Sequence, residues 1–413
     1  MSKILIIGTV WPEPNSTATG KRMLQIIEQF QDNCFKIVFA SAAQIGEFSF
    51  SLISINVEMI EIELNNSSFD DYVLALNPDV VLFDRFMIEE QFGWRIAENC
   101  PNCLRILDTE DLHFLRDIRF MNLKKNQIST SNDYLNSELA KREIASIYRC
   151  DISLIISEIE MNILTNVFKI DENILHYLPF LLDEITEVEM DNLPSFSERQ
   201  HFISIGNFRH KPNYNTVLYL KETIWPLIKN QLSNAELHIY GSYCSAKVMQ
   251  LHNLKDGFLV KGRAENAFEV IKNSRVLLAP IRFGAGIKGK LTDAMQCGTP
   301  SITTEIGAES MFGNLEWNGA ILNDPTDFAN AAITFYNNET LWKNAQKNGV
   351  KIINNRFNKK NHGTTFIKNI LETKNNLTNH RTNNFIGAVL QIQTLKSTKY
   401  MSKWIEAKNA IRE

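Results

Sequence analysis

Short apolar runs alternate with longer amphipathic segments along most of this 413-residue chain, and this alternation constrains the fold more than any other feature. A short apolar run bounded by turn residues indicates a buried strand, and an amphipathic segment between two runs indicates a helix. Strands and helices that alternate in this way form parallel sheets. The runs lie at residues 4–7, 35–39, 80–83, 104–107, 152–156 and 174–177, and then at 201–205, 236–240, 258–260, 276–279 and 301–304.

An acidic, apolar-poor stretch at residues 183–200 interrupts the alternation and contains a Leu-Pro-Ser break, which is typical of a linker. Because the chain is too long for one ordinary core, the pattern predicts two doubly wound α/β domains in series. We place them at residues 1–185 and 200–370, followed by a C-terminal helical extension at 371–413. Ligands bind at the carboxyl ends of parallel strands, so we expect a cleft between the two domains.

Composition excludes several classes of protein. Hydrophobic residues make up 44% and charged residues 22% of the chain, which is typical of a folded globular protein. The net charge of −4 gives no support to nucleic-acid binding, and no apolar run reaches the roughly 18 residues that span a bilayer. The opening MSKILIIGTV is interpreted as a strand and its loop, not as a secretory signal.

The cysteines do not indicate a metal or redox site. Among the 6 cysteines, Cys100 and Cys103 form a CxxC pair, but neither a second pair nor histidines stand at zinc-ligand spacing. The pair lies between a helix-like segment and a strand, whereas a redox pair would open a helix. We therefore interpret these residues as buried or incidental thiols in a reducing cytoplasm, and we expect no bound metal.

A glycine-rich turn carries the strongest functional signal. The stretch FGAGIKGKLTDAMQCGTP at residues 283–300 follows a predicted strand and contains a predicted helix at 290–297 that ends before Gly298. Free N–H groups at a helix N-terminus attract anions, and glycines let a phosphate approach the backbone. Lys288 and Lys290 add positive charge, so the turn predicts a phosphate site. Close packing of the helix on the sheet would require the same glycines, and this alternative stays open.

Three segments resemble those of one enzyme family. They are RFGAGIKGKLTDAMQCGTPSITTEIGAE at 282–309, IGNFRHKPNYNTVLYLKETIWPLI at 205–228 and LDTEDLHFLR at 107–116. The first resembles the donor-binding segment of GT-B glycosyltransferases, specifically the large retaining group called glycosyltransferase family four. The second resembles the start of that group's nucleotide-binding domain, and the third its cleft-facing acceptor loop. Together the matches cover about residues 1–370.

The resemblance implies two Rossmann-like domains facing a deep cleft, with the donor on the second domain and the acceptor on the first. It implies transfer of a sugar from a nucleoside diphosphate sugar to a glycan, lipid-linked or protein acceptor, with retention of anomeric configuration. The family usually works without a bound metal, and no other cofactor is implied. Two alternatives remain: a nucleotide-sugar epimerase of the same fold, and a degenerate protein that binds a sugar nucleotide or a partner without catalysis.

The resemblance also assigns residues to the donor site. The family often has two glutamates separated by seven residues around the turn; Asp293 takes the second place and is expected to hold the ribose hydroxyls, while Ala285 takes the first. The amides of Gly286 and Ile287 would remain available to sugar or phosphate. Asp293 could instead be a solvent-facing carboxylate.

Basic residues of the family are only partly kept. Asn207 and Asn213 stand where the family tends to have Arg and Lys, so we expect Arg209, together with Lys288 or Lys290, to contact the phosphates. Arg209 could instead belong to an ordinary polar loop. The other donor-site residues that the resemblance implies are Gly20, Gly206, Asn207, Lys211, Gly262, Arg263 and Gly284.

On the acceptor side, Asp108, Glu110, Asp111 and His113 follow a buried-looking strand and should emerge at its carboxyl edge. Such groups could orient hydroxyls or shuttle a proton. The resemblance favours His113 as a cleft residue, so the predicted catalytic residues are His113, Arg209 and Lys290. The alternative is helix capping by Asp108 or Thr109, with Glu110 or Asp111 favouring the helix dipole.

The C-terminal segment lies outside the family's common core. Residues 381–413 contain apolar residues spaced for one helical face, together with six Lys or Arg and two Glu. One interpretation is a solvated helix docked on the first domain. The other is contact with an anionic membrane surface, which would make this a cytoplasmic protein peripheral to the membrane.

Overall fold

A computed structural model describes residues 2–410, including all side chains except those of residues 393–396 and 410. The described chain contains two all-parallel sheets. The first has seven strands in the order β3-β2-β1-β4-β5-β6-β7. They are β1 (Lys3–Gly8), β2 (Lys36–Ser41), β3 (Glu58–Glu61), β4 (Val80–Asp84), β5 (Leu104–Asp108), β6 (Ile152–Ile155) and β7 (Leu175–Tyr177).

The second sheet has six strands in the order β10-β9-β8-β11-β12-β13. They are β8 (Gln200–Ile205), β9 (Leu237–Tyr240), β10 (Phe258–Gly262), β11 (Ser274–Ala279), β12 (Ser301–Thr303) and β13 (Gly319–Ile321). In both sheets the strand order reverses direction beside the first strand, so each has a switch point where a ligand can bind at the carboxyl edge. The predicted α/β class with two doubly wound sheets is confirmed.

Helices cover both faces of each sheet. In the first half they are α1 (Ala18–Asp32), α2 (Ser68–Leu76), α3 (Phe86–Asn99), α4 (His113–Lys125), α5 (Ser131–Leu135), α6 (Glu138–Arg149), α7 (Glu158–Asn162) and α8 (Glu187–Asp191). In the second half they are α9 (Lys211–Tyr219), α10 (Trp225–Gln231), α11 (Ala246–Met249), α12 (Ala267–Lys272), α13 (Gly289–Gln296), α14 (Glu305–Ala308), α15 (Pro325–Asn337), α16 (Glu339–Arg356), α17 (Lys359–Asn375), α18 (Leu377–Asn383) and α19 (Phe385–Ala410). None of the helices within residues 2–410 is both long and apolar enough to cross a bilayer.

The central strands are buried on both faces, which explains their continuous apolar runs. In β1, Leu5 and Ile7 pack into one core of the first sheet. Ile4 and Ile6 pack into the opposite core. Strands β3 and β13 were not predicted, because β3 is a partly exposed edge strand with a glutamate at each end and β13 has only three residues, beginning with glycine.

The end of the chain returns to the first domain. Phe366, Ile367 and Ile370 of α17 lie in the core beneath the first sheet. Farther along, α19 packs on α3 and α6. It docks through polar and small residues: Gln391 Nε2 donates to the carbonyl oxygen of Arg149 at 3.1 Å, and Asn384, directly before the helix, donates to that of Tyr148 at 2.7 Å.

Because α19 docks through its polar side, its apolar residues point away from the domain. Phe385 is 73% exposed and Ile392 is 60% exposed. Ile386 and Val389 of the predicted apolar face are exposed as well, whereas the side chain of Leu395 lies outside the described part of the chain. Residues 411–413 of the predicted extension lie outside the described residues.

A buried ion pair joins α1 to the carboxyl end of β5. An Arg22 Nη atom lies 3.0 Å from an Asp108 carboxylate oxygen, and the two side chains are 1% and 0% exposed. Arg22 also donates to the carbonyl oxygen of Leu178 at 2.7 Å. A buried pair of this kind is strongly destabilising when one partner is removed, because the other charge is left unpaired.

We therefore expect Asp108→Asn to lower the free energy of unfolding of the first domain by about 3 to 5 kcal/mol. The matched carboxylate-to-amide control is Glu90→Gln, whose partner Arg142 is 54% exposed and whose loss should cost under about 1 kcal/mol. Urea unfolding followed by circular dichroism measures both. Equal losses in the two variants would contradict the expected role of the buried pair.

Candidate functional site

A cavity of about 520 Å³ lies between the carboxyl edges of the two sheets. One wall is formed by loops after β1, β4 and β5 in the first domain. The other is formed by loops after β8, β9 and β11 and by the start of α13. The cavity therefore lies where the alternation of strands and helices places ligands in parallel sheets.

The glycine-rich turn forms the floor of this cavity and also contacts the first domain. Gly286 has φ +64°, and a Cβ atom there would lie 3.0 Å from the Asp111 side chain. A Cβ on Gly289 would lie 2.7 Å from the Ala18 side chain. Both open interpretations of the glycines thus have a basis in the structure: they permit close packing of the two domains, and they leave the backbone accessible at the start of α13.

Two lysines stand at the N-terminus of α13 without a carboxylate partner. Lys288 Nζ donates to the Gly286 carbonyl oxygen at 2.8 Å, and Lys290 Nζ donates to Asn213 Oδ1 at 2.8 Å. Within residues 2–410, no carboxylate oxygen lies within 4.0 Å of either ammonium group. Burial lowers the pKa of each lysine to about 8. At neutral pH both ammonium groups therefore remain largely protonated, and each carries a positive charge at the start of α13.

Asp293 and Arg209 line the cavity, but each has a partner within the protein. Lys21 Nζ lies 2.7 Å from an Asp293 carboxylate oxygen, an ion pair between the first and second domains. Burial raises the pKa of Asp293, although Lys21 opposes the shift. The Arg209 guanidinium stacks 3.5 Å above the ring of Tyr243.

The buried carboxylate of Glu160, which the sequence did not predict, connects the glycine-rich turn to the first domain. One oxygen of Glu160 accepts from the Gly286 N–H at 2.9 Å and from the Leu112 N–H at 3.0 Å. Burial, reinforced by Asp111, raises the pKa of Glu160 to about 7. The Gly286 amide that the resemblance assigns to sugar or phosphate is thus hydrogen-bonded within the protein.

His113 opens α4 and faces the cavity with a fixed ring orientation. Its Nδ1 lies 3.1 Å from the Asp111 carbonyl oxygen and 3.2 Å from a Glu143 carboxylate oxygen. Two acceptors at Nδ1 place the ring proton there and leave Nε2 as a proton acceptor. Glu143 also accepts from the backbone N–H groups of His113 and Phe114 at 2.9 and 2.7 Å.

The predicted capping of α4 by Asp108 or Thr109 is wrong. Leu112 is the N-cap residue and makes no side-chain cap bond, because Glu143 from α6 binds the free N–H groups instead. Asp108 pairs with Arg22, and the Thr109 hydroxyl donates to the Leu154 carbonyl oxygen at 2.9 Å.

Asp111 is the acceptor-side carboxylate that lies beside His113. Burial opposes its ionisation, but Arg116, which also donates a hydrogen bond to it, outweighs burial and lowers the pKa of Asp111 to about 2. Glu110 also lines the cavity, with a left-handed φ of +63°. Burial and Asp108 raise its pKa well above the ordinary value. On the acceptor side, Asp111 is therefore ionised, whereas Glu110 keeps its proton to a higher pH.

The structure brings most of the predicted site residues together. Those that line the cavity are His113, Gly206, Asn207, Arg209, Gly284, Gly286, Ile287, Lys288, Lys290 and Asp293. Gly20 lines a smaller neighbouring cavity of about 200 Å³. Lys211, Gly262 and Arg263 are absent from both linings, and the Arg263 guanidinium lies 4.3 Å above the Phe48 ring.

Arg85 is another cavity residue that the sequence did not predict. It lines the cavity with φ +75°, next to the carboxyl end of β4. Left-handed φ at a non-glycine residue costs energy and is concentrated at functional sites. No sequence pattern marks Arg85. Glu143 lies on the buried face of the amphipathic helix α6, and Glu160 is the one buried residue of the short helix α7.

Comparisons with known proteins agree with this geometry. The family model described as Glycosyl transferases group 1 matches residues 199–338. No curated protein sequence matches the chain significantly. Solved structures with a similar fold include a mutant of S. aureus TarM in complex with Fondaparinux, alpha-GlcNAc-glycerol and UDP. It has a TM-score of 0.67 at 10% identity, covering 91% of this chain and 100% of that chain.

Two further structures show the same fold. HepE from Anabaena, in complex with UDP and glucose, has a TM-score of 0.65 at 10% identity, covering 90% of this chain and 99% of that chain. Sucrose-phosphate synthase from Thermosynechococcus elongatus has a TM-score of 0.64 at 14% identity, with the same coverage. Residues 199–338 thus match the Glycosyl transferases group 1 model, and the chain as a whole has the GT-B fold of these solved structures.

Proposed function

We propose that this enzyme transfers a sugar, with retention of anomeric configuration, from a nucleoside diphosphate sugar to a hydroxyl group of a glycan, lipid-linked or protein acceptor. One observation carries the proposal: two partly buried ammonium groups, on Lys288 and Lys290, face the cavity without a carboxylate partner at the start of α13. A diphosphate would supply the missing negative charge. Retention rests on the resemblance of the donor segment to the retaining family.

In this proposal the two lysines act on the leaving group. As the bond between the anomeric carbon and the diphosphate oxygen breaks, negative charge develops on the diphosphate. Preorganised cations stabilise that charge more in a closed cavity than in water. The acceptor oxygen bonds to the anomeric carbon, and its proton leaves to a nearby base. His113 Nε2 is the unprotonated ring nitrogen on the acceptor side.

Asp293 would bind the ribose hydroxyls, which requires Lys21 to move or to share the carboxylate. The acceptor would lie against Asp111, Arg116 and Arg85, which line the first-domain wall. The ionised carboxylate can accept hydrogen bonds from acceptor hydroxyl groups, and the cationic side chains beside it can donate to hydroxyl oxygens. UDP is the first nucleotide to test, since TarM and HepE were solved with it.

The first prediction from this proposed function concerns Lys290. We expect Lys290→Met to weaken binding of the nucleoside diphosphate about tenfold to hundredfold, because hydrogen bonds to charged groups contribute about 1.5 to 3 kcal/mol. Binding of the uncharged nucleoside should not change. Calorimetric titration of UDP and uridine measures the difference, and Lys272→Met, at a half-buried lysine paired with Glu269 outside the cavity, is the control. Equal weakening for both ligands would contradict a phosphate contact.

The second prediction concerns the reaction. Incubation with nucleoside diphosphate sugars and an acceptor extract should release nucleoside diphosphate and form a glycoside whose anomeric configuration, read by NMR, matches that of the donor. An epimerase would interconvert the free donor without an acceptor. A non-catalytic protein would bind the donor without turnover, and an inverted product would exclude retention.

We also propose that the enzyme is cytoplasmic and contacts an anionic membrane surface through α19. Tyr400, Met401 and Trp404 are 61 to 65% exposed on the side that faces away from the domain. Lys408 Nζ lies 5.0 Å from the Trp404 ring centre. Glu406, in contrast, accepts from the Ser67 N–H at 2.8 Å, on the docked side of the helix. Exposed aromatic and basic residues together suit the headgroup region of an anionic bilayer.

The third prediction tests this surface in the full chain. The protein should sediment with vesicles of phosphatidylcholine and phosphatidylserine more than with phosphatidylcholine alone, and less in high salt. The double variant Tyr400→Ser and Trp404→Ser should bind at least tenfold more weakly, because two apolar side chains no longer insert. Ile128→Ser, at a residue 90% exposed outside α19, is the control. Equal sedimentation of all three proteins would contradict the assignment.

A further inference from the structure

A cluster of three side chains at the amino end of the second sheet has no role in the proposed reaction. His201 lies on β8, Glu236 directly precedes β9, and His238 lies on β9. The two strands are neighbours, with Ile203 opposite His238, so the cluster occupies one face of the sheet. The cavity lies at the other end of these strands: Gly206 is five residues beyond His201, or roughly 16 Å along a strand.

The three side chains converge on a common point. Nε2 of His238 lies 2.8 Å from a Glu236 carboxylate oxygen, and Nε2 of His201 lies 3.8 Å from the same oxygen. The two imidazole centres are 4.7 Å apart. One nitrogen or oxygen from each of the three residues lies within 4.8 Å of the others.

We propose that His201, Glu236 and His238 form a binding site for a divalent transition-metal ion such as Zn²⁺. Ligand atoms at about 2.0 to 2.1 Å from a tetrahedral zinc ion stand about 3.3 Å apart, so a small inward movement of His201 completes the set. Two imidazoles with one carboxylate suit zinc, nickel or copper, whereas magnesium and calcium prefer oxygen ligands. The side chains are 31%, 39% and 17% exposed in that order, which leaves a fourth position open to water.

A hydrogen bond between His238 and Glu236 alone does not account for His201. Nε2 of His201 lies 3.8 Å from the Glu236 oxygen, beyond hydrogen-bond distance, and the buried Nδ1 has no hydrogen-bond partner among the described residues. Its backbone adopts a left-handed φ of +61°, a conformation that costs energy in a histidine and needs a compensating interaction. A metal bound at Nε2 supplies such an interaction.

The site would act on the sheet and not on the reacting groups. A bound ion would cross-link β8 and the start of β9, the two strands whose carboxyl ends carry Gly206 and Gly241 at the cavity wall. Binding to the folded chain alone would therefore raise its stability, and the gain would grow with the logarithm of the metal concentration once that exceeds the dissociation constant. Sequence spacing hides this site, because Glu236 and His238 are far along the chain from His201.

Metal binding to the full chain tests the proposal. Metal-free protein titrated with Zn²⁺ against a chromophoric chelator should bind one strong equivalent, and excess Mg²⁺ should not compete. His238→Gln and Glu236→Gln should each weaken that equivalent at least tenfold. His252→Gln, a histidine of the same domain whose Nδ1 contacts the Val260 carbonyl oxygen, is the control and should bind as the original protein does.

The melting temperature and the Co²⁺ absorption spectrum distinguish loss of the metal site from loss of the fold. The melting temperature without metal shows whether each variant folds, and Glu236→Gln changes a partly exposed side chain that should not affect folding. The melting temperature of the original chain should rise with Zn²⁺, while the rise should be lost in both cluster variants. The Co²⁺ absorption spectrum distinguishes nitrogen and oxygen ligands from thiolate. Uptake that is equal in cluster variants and control, or a thiolate spectrum, would overturn the proposal.

Discussion

The cavity is organised by two ammonium groups that have been partly removed from water without a carboxylate partner. Desolvation of a cation costs energy, and the lowered pKa values of Lys288 and Lys290, about 8, express that cost. A lysine that served only stability would either be paired or extend into solvent. The arrangement is understandable when an anion is the normal occupant. The N-terminus of α13 adds its own positive end at the same place.

The same cavity is closed by contacts between the two domains, and several of them use groups that a donor would need. Lys21 holds Asp293, and Glu160 holds the Gly286 amide. Arg119 makes two hydrogen bonds to Glu309, at 2.8 and 2.7 Å, and a third to the Gly284 carbonyl oxygen. These contacts hold the glycine-rich turn against the first domain. A donor that enters must therefore exchange contacts between domains for contacts with itself, which couples its binding to the position of the domains.

A feature of the fold or of the site could be predicted when the groups that form it are close together in the sequence. The central strands were found because burial on both faces makes each one a continuous apolar run. The phosphate site could be proposed from the sequence because Lys288, Lys290 and the start of α13 lie within a few residues of one another. The ion pair between Lys21 and Asp293 joins residues that are 272 positions apart, so no local sequence pattern predicts it. Glu143 and Glu160 were missed for the same reason, since their partners belong to other elements.

The C-terminal helix α19 is a different case. Its apolar face was visible in the sequence, but the sequence did not show whether that face packs on the first domain or faces solvent. Spacing identifies an apolar face on α19, and an apolar face normally packs inward. Here α3 and α6 offer polar partners: the Arg149 carbonyl oxygen accepts from Gln391 at 3.1 Å, and Arg95 donates to Ser402 at 3.2 Å. Because those bonds bury the polar side of the helix, the apolar side remains outside. An exposed apolar surface is unfavourable in water, and the proposed contact with an anionic membrane would cover it.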